Sequence, residues 1–410
     1  MLKRIKIEHL TLGMHLHELC GSWMSHPFWR TSFVLKDPKD IQRIHDSGIQ
    51  EVWIDSDKGL DVAFRQSREE VEAQIDSELS EAVSPASNVH EPAPLSEEIQ
   101  RAAKLCGKSR EAVVSMFQEA RMGRAIEAED ALPLVEEINN SVMRNPGALI
   151  SIARLKRADD YTYMHSVAVC ALMIALAKQL RLDEQQTRDA GLAGLLHDVG
   201  KMAVPLEVLN KPAKLTDAEF SLVKTHPAEG HEMLLRGSGI TEVALDVCLH
   251  HHEKVDGSGY PHRLQGDAIS LYAKMGAVCD VYDAVTSDRP YKKGWDPAEA
   301  LRRMAEWNQS HFQNNVFQAF VKAVGIYPIG TLVRLQSGRL GVVVDQSGRS
   351  LLTPKVKVFF STKSQARLPP EIIDLAGAGR DDKVAAQEDP AKWGFQDLEE
   401  LWRGAGARPW

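Results

Sequence analysis

Apolar residues recur along this chain with two different periods, and the change of period divides it. Between residues 147 and 325 they return every three or four positions, as in VAVCALMIALAKQL and ITEVALDVCL. That is the spacing of helices that bury a face. One helix carries His165, Ala168, Leu172 and Leu176 on its core face, with Asp160 as its cap. A second starts near Asp183 and runs through AGLLHDVG, with Gly200 as its stop signal. Thr216 and Glu219 form a capping box for a third, which closes at His226–Pro227. In ITEVALDVCLHHH, Val247 and His251 fall one turn apart, as do Cys248 and His252, so these two imidazoles point where the apolar side chains point. His250 follows Asp246 onto the outer face. Asp296, Pro297 and Glu299 mark the start of a later helix that serves only the fold.

After Tyr327–Pro328 the period drops to two. GTLVRLQSGRLGVVVDQSGRSLLTPKVKVFF predicts three short antiparallel strands, with Ser-Gly turns at 337–338 and 347–348 and one face buried against the helices. At the other end, RIKI, SFVL and EVWID are β-prone, and KDIQRIHDSG between them predicts a short helix stopped by Gly48. Trp23, Phe28, Trp29 and Trp53 are available to its core. Charge runs after residue 61 fade into SPASNVHEPAPLS, a linker composition. Two amphipathic helices follow, one with Val113, Val114, Phe117 and Met122, the other ending before Pro146. The fold class is therefore mainly α. A small α+β domain (1–65) and a linker (66–98) precede a helical domain (99–325, motif core 150–325). A β meander (326–375) and a Gly/Ala-rich tail (376–410), with a weak helix around FQDLEELW, complete the chain.

Composition narrows the function. The net charge is -8 and there is no basic tract, which excludes a bulk nucleic-acid binder but not a small polyanion in a pocket. The N-terminal MLKRIKIEHLTLG lacks the apolar core of a signal peptide, and no apolar run is long enough for a transmembrane segment. Five cysteines without a CxxC pair read as reduced thiols, and the expected location is cytoplasmic.

The helical block gathers ionisable groups where apolar ones belong. His165, the adjacent His197 and Asp198, His226, the pair His251 and His252, and Asp280 come from separate segments. Burying them is costly unless they are paired or hold a metal. Imidazole and carboxylate suit divalent first-row ions, and facing helices suit a shared shell. His165, His197, Asp198 and Asp280 suffice for one ion. His226, His251 and His252 suffice for a second, with Asp198 bridging. Two such ions polarise a phosphoryl group and generate hydroxide at neutral pH. Lys201, Arg289 and Lys292 are the cations assigned to phosphate oxygens, and Lys254 and Lys293 read as solvated. DGSGYP forms either a surface turn or a loop over the site mouth, with Tyr260 placed to stack on a base.

His165, HDVGK at 197–201, His226–Pro227, HHEKVDGSGYP at 251–261 and DVYDAVTSDRPY at 280–291 together resemble the HD-GYP family of metal-dependent phosphohydrolases. The resemblance implies a bacterial signalling enzyme, a phosphodiesterase that converts cyclic di-GMP to pGpG, GMP or both. It implies a metal-activated hydroxide and two or three Fe or Mn ions, with Asp198 and Lys201 at the reacting centre. Lys201, Arg289 and Lys292 would contact phosphate and Tyr260 the guanine. Some trinuclear members carry a glutamate four residues before the first histidine. Here that position is Tyr161, so two ions are expected. Residues 3–60 resemble the small domain that often precedes HD-GYP, and the strands after Tyr327 resemble a common C-terminal extension. A homo-oligomer and protein partners docking on the GYP loop are compatible with the family. Two other readings stay open: a related hydrolase for another nucleotide, and a cyclic di-GMP receptor without catalysis.

Overall fold

A computed structural model describes residues 2–20, 32–47, 49–61, 66–67, 95–155, 161–211, 213, 215–288, 294–307, 310–346, 350–377, 382–395 and 397–404. The chain divides into two compact units, Met1–Glu81 with Arg302–His311, and Ala82–Leu301 with Phe312–Trp410.

The first unit contains β1 (Leu2–Lys6), β2 (His15–Cys20), β3 (Phe33–Val34), α1 (Pro38–Asp46), β4 (Glu51–Asp55) and β5 (Gln66–Ser67). The strands form an antiparallel sheet in the order β3-β2-β4-β1-β5. Strand β2 was not evident in the sequence, because a register shift between Leu16 and Glu18 breaks the two-residue alternation. Asp37 caps α1 by accepting from the Lys39 amide at 2.9 Å. The core is aliphatic, built from residues such as Ile5, Leu16, Leu35, Ile44, Val52 and Ile54. Trp53 is buried beside it. Trp23, Phe28, Trp29 and the stop residue Gly48 lie outside the described residues.

The second unit is a helical bundle followed by a sheet. Its first helices are α2 (Leu95–Arg121), α3 (Ala128–Arg144), α4 (Pro146–Arg154), α5 (Tyr161–Gln179) and α6 (Glu184–Leu196). Thus α2 begins inside the stretch read as a linker, with Leu95 already in the core. Met122 falls beyond α2 and is exposed, whereas Val113 and Phe117 are fully buried. Helix α5 is buried from Met164 to Ala177, not on one face only, because neighbours surround it. Asp160, its expected cap, lies outside the described residues. Asp183 and Gln186 form a capping box that starts α6.

After α6 the backbone makes a 3-10 turn at Val199–Ala203. Gly200 therefore sits inside a helical turn and does not stop the helix, which ends at Leu196. Its missing side chain has a different cause: a Cβ there would lie 1.9 Å from the His226 carbonyl oxygen and 2.4 Å from the Gly230 amide. Two backbones touch at this point.

Next come α7 (Leu206–Leu209), α8 (Asp217–Val223) with its Thr216–Glu219 capping box, α9 (His226–Leu235) and α10 (Glu242–His250). They are followed by α11 (Leu271–Thr286), α12 (Pro297–Glu306), whose residues from Arg302 on count with the first unit, and α13 (Asn314–Val324). Asp296 caps α12 through the Ala298 and Glu299 amides, at 3.0 and 3.4 Å.

The C-terminal sheet has five strands instead of three: β6 (Leu332–Leu335), β7 (Arg339–Asp345), β8 (Lys355–Ser361), β9 (Ala366–Asp374) and β10 (Val384–Gln387), in the order β10-β6-β7-β8-β9. Alternation along β7 sends Val342 and Val344 into the helical core and Val343 into the opposite face. The Ser-Gly turn at 337–338 is present, with Gly338 at φ +83°, whereas 347–348 lies outside the described residues. The tail contributes α14 (Pro390–Trp393) and α15 (Leu398–Arg403), and Trp393, Phe395 and Leu398 cover Leu332, Leu340 and Phe359.

Candidate metal centre

Five segments of the second unit deliver the ionisable residues to one buried point. Helix α5 brings His165, and the end of α6 brings His197 and Asp198. The start of α9 brings His226, the end of α10 brings His251 and His252, and α11 brings Asp280. All seven are at most 9% exposed. Three overlapping groups have ligand atoms within 4.8 Å of one another: His226, His251 and His252; His165, His197 and Asp280; and His197, Asp198 and His251.

Asp198 stands between the two histidine sets. Its Oδ2 lies 3.3 Å from His165 Nε2 and 3.4 Å from His197 Nε2. Its Oδ1 lies 3.2 Å from His226 Nε2 and 3.8 Å from His251 Nε2. Asp280 spans the sets as well, with Oδ1 at 2.9 Å from His165 Nε2 and Oδ2 at 3.8 Å from His252 Nδ1.

The imidazoles are turned inward by bonds on their other nitrogen. His197 Nδ1–H donates to the Gly194 carbonyl at 2.8 Å, and His226 Nδ1–H to that of Val223 at 2.7 Å. His251 Nδ1–H reaches the Val247 and Cys248 carbonyls at 3.0 Å. Each bond leaves Nε2 as a lone pair facing the centre. For His165 the orienting partner is a carboxylate, Asp283 Oδ2, at 2.6 Å. Asp283 was not among the expected site residues. It lies one turn along α11 from Asp280, and that i, i+3 spacing was the available signal.

The charges fit a cation. Burial alone would depress the His165 imidazole, but Asp198, Asp280 and Asp283 outweigh it and carry it up to about 10. Burial opposes ionisation of Asp198 and Asp280, yet Lys201 with the imidazoles holds Asp198, and the imidazoles hold Asp280, well below the usual carboxylate range. His251 is pushed down to about 3 by burial and by His197 and His226, so it is neutral and ready to ligate. His197 Nε2, Asp198 Oδ1 and Asp280 Oδ2 are buried without a hydrogen-bond partner. His226 Nε2 and His251 Nε2 face each other at 3.2 Å. Lone pairs and anionic oxygens pointed at one another are what a divalent ion would satisfy, and the set can hold one or two.

Lys201, on the 3-10 turn, ion-pairs with Asp198 Oδ2 and keeps 19% of its side chain exposed. Arg289 and Lys292 lie outside the described residues, as does Lys293. Tyr260 stacks on His252, with ring centroids 4.8 Å apart and planes at 26°. The loop carrying it is tied to Glu253, a buried carboxylate that accepts from the His262 and Leu264 amides at 2.7 and 3.0 Å. Gly257 takes φ +79°, and Gly259 lies so close to Glu253 that a Cβ would fall 2.5 Å from its Cα. His250, left outside the site by its position, bonds to Asp246 at 2.7 Å. Lys254 is half-buried and not solvated; burial chiefly, with Lys224 adding to it and Asp256 opposing, brings its ammonium down to about 8. The five cysteines are free thiols. Among the described residues no helix is long and apolar enough to cross a membrane.

Comparison with known proteins agrees with this chemistry. Residues 138–316 match the HD domain family, and residues 2–131 match a domain of unknown function, DUF3391. A cyclic di-GMP phosphodiesterase of Pseudomonas aeruginosa is 57% identical over 409 residues, covering 98% of this chain and 96% of that protein. A cyclic di-GMP phosphodiesterase response regulator of Xanthomonas campestris is 41% identical over 158 residues, 37% of this chain and 41% of its own. A cyclic di-GMP phosphodiesterase of Vibrio cholerae is 44% identical over 189 residues, 42% of this chain and 38% of its own. With the near full-length match and the buried His/Asp cluster in agreement, this chain belongs to the HD-domain proteins and is closely related to phosphodiesterases of the HD-GYP type.

Proposed function

We propose that this protein hydrolyses cyclic di-GMP in the cytoplasm, giving pGpG, GMP or both, with two Fe or Mn ions in the cluster. The observation that carries the two-ion reading is Asp198, which turns Oδ2 to His165 and His197 and Oδ1 to His226 and His251. His165, His197, Asp198 and Asp280 would hold one ion, and His226, His251 and His252 the other. When bound, such ions act as Lewis acids and lower the pKa of water.

The chain's own groups do the rest. Asp198 stays ionised at neutral pH, so both of its oxygens remain available as acceptors. Lys201 holds a positive charge at the rim of the cluster, where it stabilises negative charge on a phosphoryl oxygen. Arg289 and Lys292 are assigned to phosphate by their place in the DVYDAVTSDRPYKK motif, Arg289 through its planar fork. Tyr260 covers His252 on one face and is assigned to the guanine.

The test is elemental analysis of anaerobically purified full-length protein, with chromatography of products from cyclic di-GMP. Close to two Fe or Mn per chain and turnover to pGpG or GMP are expected. One ion or fewer in active protein would overturn the dinuclear reading. Metal-loaded protein that binds cyclic di-GMP without cleaving it would establish a receptor instead.

A further inference from the structure

The cations assigned to phosphate serve the reacting centre, yet a cyclic dinucleotide carries a second phosphate that must also be accommodated. A positive side chain outside that set stands beside Tyr260. Lys224 Nζ lies 5.2 Å from the Tyr260 ring centroid and 4.7 Å from that of Phe220. Tyr260 in turn stacks on His252, which places this ammonium within reach of the candidate metal centre. Lys224 is exposed, and among the described residues it makes no ion pair. The charged group that acts on it is another cation, Arg263; Lys254, which Lys224 repels in turn, also faces the Asp256 carboxylate.

The loop that carries Arg263 and Tyr260 has a fixed backbone. Arg263 adopts φ +57°, a left-handed backbone that a non-glycine residue rarely takes. The amides on either side of it, His262 and Leu264, are both held by the buried Glu253 carboxylate. Gly257 N–H closes on the Lys254 carbonyl at 2.9 Å, and Gly266 N–H on that of Val255 at 3.0 Å. Backbone strain that the surrounding bonds over-determine is characteristic of a ligand clamp. An ammonium and a guanidinium held near one another are unfavourable until an anion arrives, and that pairing suits phosphate.

We propose that Lys224, with Arg263 on the loop of Tyr260, forms a second anion subsite that receives the non-reacting phosphate of the dinucleotide. It takes the distal diester of the cyclic form, or the terminal phosphate of the linear one. The inference rests on the reading of the site as a cyclic dinucleotide phosphodiesterase.

The test compares cyclic di-GMP, with two phosphates, against bis-p-nitrophenyl phosphate, with one. Both would be assayed with metal-loaded full-length protein, wild type and Lys224→Ala, Arg263→Ala and Lys224→Arg. Each alanine variant should raise KM for cyclic di-GMP about tenfold with little change in kcat, and so lower the ratio of kcat/KM between the two substrates about tenfold. Lys224→Arg should recover most of that ratio. The wild-type KM should also climb more steeply with salt than that of Lys224→Ala. Equal losses on both substrates, or loss of metal, would show that these residues only support the site. An unchanged KM would make Lys224 a solvated lysine. Either result leaves the phosphodiesterase reading standing, whereas a wild-type protein inert towards cyclic di-GMP removes both.

Discussion

Asp283 offers the sharpest test of how the centre is held, because it reaches the cluster through His165. Its Oδ2 accepts from Nδ1–H at 2.6 Å, while Nε2 of the same ring faces Asp280 at 2.9 Å and Asp198 at 3.3 Å. Replacing it with asparagine keeps the size and an acceptor oxygen but removes the charge. A charge-assisted bond is about twice as strong as a neutral one, so roughly 1–1.5 kcal/mol is lost, or about tenfold in metal affinity. Asp283→Ala leaves a buried Nδ1–H without its partner and should lower affinity by up to about 100-fold, the upper end for partners of metal-bound histidine. The assay is competitive titration of Mn2+ into chelator-stripped protein, with kcat/KM at saturating metal and a thermal melt as a folding control. The expected order is wild type, Asp283→Asn, Asp283→Ala, then Asp280→Ala, which loses a ligand outright. If both Asp283 variants bind Mn2+ like wild type, or fall as far as Asp280→Ala, then Asp283 does not act by orienting His165.

Three further outcomes are expected. Gly200→Ala forces the 3-10 turn away from the His226 carbonyl and should lower both melting temperature and metal content, whereas Ala203→Gly in the same turn should keep its metal; elemental analysis of the pair checks this. Tyr260→Phe should keep the ring on His252 and most of its activity, while Tyr260→Ala should lose about 5–150-fold in kcat/KM on cyclic di-GMP, the worth of one aromatic–base stack. Burial raises Asp296 to about 6, so the folded state binds its proton more tightly than the unfolded chain, and this contribution to stability declines as pH rises from about 4 to about 6. Asp296→Asn keeps the cap and removes that decline, for a relative gain of about 3 kcal/mol at pH 8 over pH 4 in urea unfolding; equal pH profiles for the two proteins would refute it.

The clustered histidines and aspartates were legible in the sequence because each is an imidazole or carboxylate in an apolar helical pattern, where its cost demands a reason. Their partners were not. Asp283 stood out with Asp280 inside an apolar helix but had no role until the fold set it against His165, and Glu253 and Lys224 look like ordinary polar residues until the loop amides and Tyr260 meet them. Gly200 was visible, but its role was misread, since a glycine after a helix suggests a cap and the contact with His226 is long-range. In the C-terminal sheet, β9 was hidden by Pro369 and Pro370, which a central strand would exclude; β9 is an edge strand, where missing donors are tolerated. Strand β10 was hidden by its distance from the meander, across a stretch of glycine and charge.

The Glu253 clamp has a kinetic meaning. A carboxylate that is 3% exposed and bonded to two loop amides cannot let go of them without being left charged and unpaired in the interior. The segment from Lys254 to Leu264 is therefore fixed at its base and does not swing as a hinged lid. In hydrogen–deuterium exchange, the His262 and Leu264 amides should resist exchange like buried helix amides, although His262 itself is exposed. Substrate would then enter a mouth whose outline is already set, and turnover would not wait on loop opening.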